Sequence, residues 1–288
     1  MSDRALRSSA IGPTSPAYRE GGDGLSDWGR RIWRRLWPPL LAVLIVLIVW
    51  ELVVLSEWRP AYVLPGPLTV GQTFVGELVD PKFWSALGTT LNRAMIGFAV
   101  AILIGTALGL AVSRSRILRS AIGSLITGLQ TMPSIAWFPL AILLFGLTEQ
   151  AILFVVVIGA APSIANGFVS GVDDVPPQLV RVAKVLGARG LGLYRSVMIP
   201  SAMPQYVSGL KQGWAFAWRS LMAGELLVII ASRPSLGVQL QFFREFANAP
   251  GLIAIMIVIL LVGVVVDGIF SAIANGVRSR RGMGGVRL

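Results

Sequence analysis

The chain has 288 residues, 55% of them hydrophobic and only 14% charged, with a mean hydropathy of +0.73. A soluble domain carries roughly a quarter charged residues, so much of this surface must face lipid. No cysteine or histidine is present, which excludes structural disulfides, thiolate nucleophiles and nearly all zinc, haem and iron–sulfur ligation. The usual general base near neutral pH is missing as well. No metal, cofactor or catalytic residue is expected. The formal charge of +11 does not indicate nucleic acid, because the basic residues flank apolar runs and form no continuous face.

Residues 1 to about 30 are rich in Ser, Gly, Pro and Arg and read as a disordered basic tail. We bound that tail at residues 1–36. Arg30, Arg31, Arg34 and Arg35 precede an apolar run, Trp37–Leu55. The run is too long for a signal peptide and no small-residue cleavage site follows, so it reads as an uncleaved first span. Five further spans follow at about Leu91–Val112, Ser120–Phe145, Ala151–Phe168, Tyr206–Ile230 and Gly251–Ala274. In the third, Pro133 and Pro139 either kink one helix or divide it into two half-helices. A second basic tail covers residues 276–288.

Lys and Arg set the orientation. With six spans, the two tails and the loops at 113–119 and 169–205 share one side and hold eighteen of them, against four in the three opposite loops. That excess places both termini in the cytoplasm. The expected fold is all-α, a polytopic membrane protein of six transmembrane helices. Its longest loop, 171–203, lies in the cytoplasm between helices 4 and 5.

That loop carries its own pattern. Gln178–Leu186 places Leu179, Val182, Val185 and Leu186 on one helical face and Arg181 and Lys184 on the other. Gly187 is placed to end the helix in a left-handed cap. Leu191–Val197 allows a second turn or two before Pro200 and Pro204 stop it. Two short helices joined at a glycine make a compact knob. Its apolar face either packs on the chain's own membrane helices or docks on a partner, and periodicity leaves both open.

The spacing resembles the "EAA" loop of binding-protein-dependent ABC permeases: E-A-A, three residues, G, nine residues, I-x-L-P. Arg181, Val182 and Ala183 occupy the E-A-A positions and Gly187 the glycine, while Val197, Ile199 and Pro200 fall on the I, L and P. Three further stretches match in order. Tyr62–Pro67 resembles the family's L-P-S-P stretch, Ile135–Leu140 its I-A-W-x-P-L, and Trp218–Glu225 its fifth span. The resemblance covers about residues 60–275, with a core at about 86–275 inside a permease domain at 37–275. It is closest to the nitrate/sulfonate/taurine-type permeases. The chain departs from the pattern at Arg181 and Val182, so the salt bridge of the eponymous glutamate cannot form with the same sign.

The resemblance implies a bacterial inner-membrane complex. It comprises two permease subunits (by expectation a homodimer), a cytoplasmic pair of ATP-binding subunits and an extracytoplasmic solute-binding protein. The cargo implied is a small anion, aliphatic sulfonate or taurine first. No G-x-x-x-x-G-K-[ST] occurs in the sequence, so ATP hydrolysis belongs to a separate subunit and this chain is no enzyme.

Charges inside spans are costly and mark function by default. Arg219 is placed to attract an anion, or to pair with Asp267 or a backbone carbonyl. Gln130, Trp137 and Glu225 are further candidates for lining a path. Small residues repeat every four positions at Gly97, Ala101, Gly105 and Gly109, and again at Gly209, Gly213 and Ala217. These ridges pack within one bundle or form a dimer seam. The rival reading is an ion-coupled secondary transporter using Glu225 and Asp267, which gives no reason for the amphipathic loop. An intramembrane hydrolase lacks its base or its paired aspartates.

Overall fold

The computed structural model describes residues 24–230 and 232–279, and among them every regular element is a helix. They fall into two compact units, one ending at Ser56 and one starting at Glu57, which are described separately. Residues 1–23 and 280–288 of the expected tails lie outside the described residues. Helix begins at Gly24, inside the segment expected to be a disordered tail. From Asp27 to Leu36 only Gly29 is a poor helix former, so helix nucleated in the apolar run propagates back through the arginines.

The first unit is the helix α1 (Gly24–Leu55), whose Trp37–Leu55 part is long and apolar enough to cross a membrane. The second contains α2 (Pro67–Val79), α3 (Pro81–Arg114), α4 (Arg116–Thr131), α5 (Phe138–Phe145) and α6 (Glu149–Asp173). It continues through α7 (Pro177–Val185), α8 (Gly190–Leu193), α9 (Ile199–Leu227), α10 (Leu236–Glu245) and α11 (Ala249–Ser279). The short helices α2 and α10 have no counterpart among the expected elements. Helix α3 starts ten residues before Leu91, because Pro81 sits in its first turn and the Asp80 carboxylate accepts the Lys82 amide at 2.9 Å.

Among the described residues four helices are long and apolar enough to span: α1 from Trp37, α3, α6 and α11 to Val277. The expected third span is a fifth candidate and is broken. Ile117–Thr131 and Ser134–Phe145 meet at 105° across Met132 and Pro133, so the segment is two half-helices rather than one kinked helix. The expected fifth span lies in α9. At 29 residues it reaches about 43 Å, but Gln205, Lys211, Gln212, Arg219 and Glu225 keep it off the apolar set.

Helix α6 is the centre of the second unit. The ridge Gly97–Ala101–Gly105–Gly109 of α3 lies against it so closely that a Cβ on Gly105 would come within 2.6 Å of the Ala161 carbonyl oxygen. The α9 ridge faces α6 from another side, with Gly209 opposite Gly167, and a Cβ on Gly167 would lie 2.5 Å from the Gly209 Cα. Both small-residue ridges are therefore used within one bundle. Phe98, Phe138, Ile152, Val155, Ile164, Trp214 and Leu221 fill the space around these contacts.

Candidate functional site

Three places in the second unit gather the residues singled out by the sequence: a knob at 177–198, a cavity at the break before α5, and a buried charge cluster.

The knob starts at Pro177 in the first turn of α7. At its end the Gly187 amide donates to the Lys184 carbonyl at 3.0 Å, and the Ala188 amide to the Ala183 carbonyl at 2.9 Å. These two bonds are the Schellman pattern, and Gly187 supplies the left-handed residue with φ +88°. The glycine cap expected from sequence is therefore present. Leu179 is 48% exposed, Val182 57%, Val185 87% and Leu186 81%, while Ala183 is buried. The apolar face does not pack on the rest of the unit. Arg181 is exposed and forms no ion pair among the described residues.

The second half of the knob differs from expectation. Pro200 and Pro204 do not stop it, because α8 runs through a π-turn at Tyr194–Met198 directly into α9, which contains both prolines. The Ile199 amide bonds to the Tyr194 carbonyl, five residues back. This wide turn stands where the Pro200 ring would crowd a regular α-helix. Val197, Ile199 and Pro200 sit half-buried at the junction. Two contacts join the turn to the end of α3: the Tyr194 hydroxyl donates to the Ser113 carbonyl at 3.3 Å, and the Arg114 guanidinium lies 4.9 Å from the Tyr194 ring centre. Arg119 pairs with Asp173 at 2.8 Å, and Gln205 donates to Asp174 at 3.0 Å, tying α4, α6 and α9 together at this same end.

The break between α4 and α5 opens a cavity of about 390 Å³, lined by residues that include Gln130, Met132, Ser134, Gly159, Phe216 and Arg219. Two of the four expected path residues, Gln130 and Arg219, thus come together from distant parts of the chain. Arg219 is exposed, its Nε donates to the Ala215 carbonyl at 3.2 Å, and its guanidinium lies 5.2 Å from the centre of the Phe216 ring. Of its two structural alternatives, the backbone carbonyl is realised. Asp267 instead pairs with Lys211 at 3.1 Å. Trp137, in the 3₁₀ turn before α5, packs on the core beside the cavity and is not among its walls.

Glu225 stands apart from that cavity. It has no exposed surface, and its carboxylate accepts from Arg93 Nη1 at 3.0 Å, Thr90 Oγ1 at 2.9 Å and the Gly237 amide at 3.0 Å. The Thr90 hydroxyl oxygen in turn accepts the Leu236 amide at 3.0 Å. Arg93 reaches Glu149 at 3.2 Å with its other terminal nitrogen, and Arg233 approaches the same Glu149 oxygen at 3.4 Å. A carboxylate so enclosed cannot line a path in this conformation. It fixes α3, α9 and the first turn of α10 to one another. Arg93 was the missed residue. Its signal was available, as a lone arginine inside the apolar second span has the same cost as Glu225.

Comparison with known proteins places this arrangement. The pattern of the family "Binding-protein-dependent transport system inner membrane component" matches residues 97–279. A chain of Methanocaldococcus jannaschii described as an ABC transporter permease is 32% identical over 238 residues, 80% of this chain and 85% of the relative. The nitrate import permease protein NrtB of Synechocystis is 28% identical, over 79% of this chain and 82% of that one. The taurine transport system permease protein TauC of Escherichia coli is also 28% identical, with the same shares covered. Among solved structures, an inward-facing form of the MetNI methionine ABC transporter superposes with a TM-score of 0.58 at 18% identity, over 69% of this chain and 98% of that chain. This last likeness is one of fold.

Proposed function

The chain belongs to the inner-membrane components of binding-protein-dependent transport systems, and from that premise we propose how it works within an ATP-driven importer. As a multi-pass ABC permease it is a transport component and not an enzyme. In our reading it crosses the membrane six times, through α1, α3, the broken pair α4–α5, α6, α9 and α11, with both termini in the cytoplasm. The knob then lies on the cytoplasmic side and docks in a groove of a separate ATPase subunit. A second permease copy completes the pathway, and a solute-binding protein delivers a small anion from the other side. Aliphatic sulfonate or taurine is our first assignment, supported by the names of relatives such as the taurine permease.

The observation that carries the coupling role is the face of Leu179, Val182, Val185 and Leu186, left exposed on a rigidly capped helix. Four such side chains at one spot favour burial by a partner. The exposed Arg181 calls for an acidic residue on that partner, the reverse of the family's usual sign. Closure of the ATPase pair would push the knob, and the Tyr194 contacts with Ser113 and Arg114 would pass that push to α3.

Ion-coupled transport gains no support from the carboxylates it would need. Glu225 is held by three donors, and Asp267 is held by Lys211. The test of coupling is Gly187→Pro, which removes the left-handed cap outside every span. We expect uptake of the anionic solute to be abolished with membrane insertion intact; normal uptake would refute the docking role.

A further inference from the structure

The cavity at the α4–α5 break holds one fixed cation and no carboxylate among its walls. Its volume of about 390 Å³ falls at the small end of small-ligand sites, roughly 300–1,000 Å³. Of the Arg219 donors only Nε is engaged, on the Ala215 carbonyl, and its terminal nitrogens have no acceptor among the described residues. The Gln130 side-chain nitrogen is buried without a partner. A buried donor without an acceptor costs about 1–3 kcal/mol, so its place on the wall of a cavity that holds Arg219 needs a reason.

Gly159 supplies the geometry. A Cβ at this position would lie 2.6 Å from Ser220 Oγ and 3.7 Å from Ser134 Cβ. Ser220 Oγ thus packs on Gly159 from behind the wall, and no side chain at 159 stands against Ser134 at the start of the second half-helix. Ser134 and Ile135 begin that half-helix, so their amides belong to its unsatisfied first turn. Discontinuous membrane helices present such ends to anionic groups.

We propose that this cavity is a transient site for a singly charged oxyanion with three oxygens, such as a sulfonate or nitrate. The proposal rests on the importer reading and adds the site and the charge it accepts. Arg219 balances the one charge, while Gln130 and the half-helix start serve the oxygens as neutral donors. A dianion would keep a charge unbalanced in a low-dielectric site. A carboxylate would leave part of the donor set unused.

The absence of native cysteine makes a direct test available. Met132 lines the cavity, is 42% exposed, and is not one of the proposed donors. The full-length Met132→Cys chain in membrane vesicles is reacted with a sulfonate-bearing thiosulfonate reagent and with its trimethylammonium counterpart, each normalised to its rate with a free thiol. We expect the anionic reagent to be favoured about tenfold or more, as a focused positive potential requires. Millimolar nitrate or methanesulfonate should slow its reaction, and chloride at equal ionic strength should not. Adding Arg219→Gln should remove the preference, and Arg219→Lys should retain it.

A cationic preference, a failure of both reagents to react, equal protection by chloride, or a preference indifferent to Arg219→Gln would each overturn the site. The protection experiment needs no change at Arg219, so misfolding of that variant cannot mask the answer. Loss of selectivity with an ATPase still bound would refute this inference alone. Selectivity without any bound ATPase would instead refute the importer reading.

Discussion

Arg93 and Glu225, 132 residues apart in sequence, meet at 3.0 Å with almost no solvent on either side chain. Around them Thr90 and the Gly237 amide complete the carboxylate's partners, and Glu149 takes a second nitrogen of the arginine. The pair is the fixed point from which the rest of the bundle can be argued.

Removing one partner leaves a buried charge without compensation, at a cost of about 3–5 kcal/mol. Arg93→Met and Glu225→Met alone should each lower the thermal midpoint of the detergent-solubilised chain markedly. The double variant should recover much of that loss, because two apolar side chains replace two desolvated charges. Additive losses in the double variant would show that the pair is not the source of the effect.

The contact of α6 with α9 rests on the absence of two side chains. Gly209→Leu should prevent close approach to Gly167 and destabilise the bundle by about 1–3 kcal/mol or more, as overpacking does. A substitution such as Gly123→Leu, where nothing lies within 4 Å of the added Cβ, should be well tolerated. Equal yields of folded protein from the two variants, compared by fluorescence-detected size exclusion, would contradict this packing.

On the knob, the expected effects separate stability from coupling. Val185→Asp with Leu186→Asp alters two side chains that are more than four-fifths exposed. Stability of the isolated chain should change by no more than about 0.5 kcal/mol each, whereas solute uptake should fall at least tenfold. A large loss of stability would mean that this face is buried against the chain itself.

Glu77, on α2 and outside the candidate spans, gives a pH-dependent prediction. Burial first, and then the neighbouring Asp80 carboxylate, push its carboxyl above the ordinary glutamate range. The fold therefore favours the protonated form. That contribution is complete below the ordinary glutamate pKa and is lost as pH rises through the raised value. Glu77→Gln should stabilise the chain slightly at neutral pH, and the difference should vanish in acid. A gain independent of pH would point to another cause.

The sequence carried the fold where local chemistry decides it. The Gly187 cap was legible because one residue type satisfies a left-handed helix end, and four of the expected spans, with the broken third, were legible as apolar runs. Pro133 marked the break, but its 105° angle depends on what the half-helices pack against. Pro200 and Pro204 misled, since a π-turn absorbs them and no local signal announces that turn. The helices α2 and α10 are short and amphipathic, so nothing in their composition separates them from loop. At the candidate site, Gln130 and Arg219 stood out as polar residues inside apolar runs, and both line one cavity. Their meeting could not be read, because it is made by α6 and Gly159 between them. Glu225 was noticed for its cost and misassigned, as its partner lies 132 positions away.

In our proposal a separate ATPase drives this permease through the knob. The most direct test is purification of the tagged full-length chain in mild detergent, with co-purifying chains identified and ATP hydrolysis measured. A partner bearing G-x-x-x-x-G-K-[ST] is expected with the unaltered chain, and its loss is expected with Val185→Asp and Leu186→Asp. A folded chain that emerges alone, under conditions that preserve other transporter complexes, would contradict it.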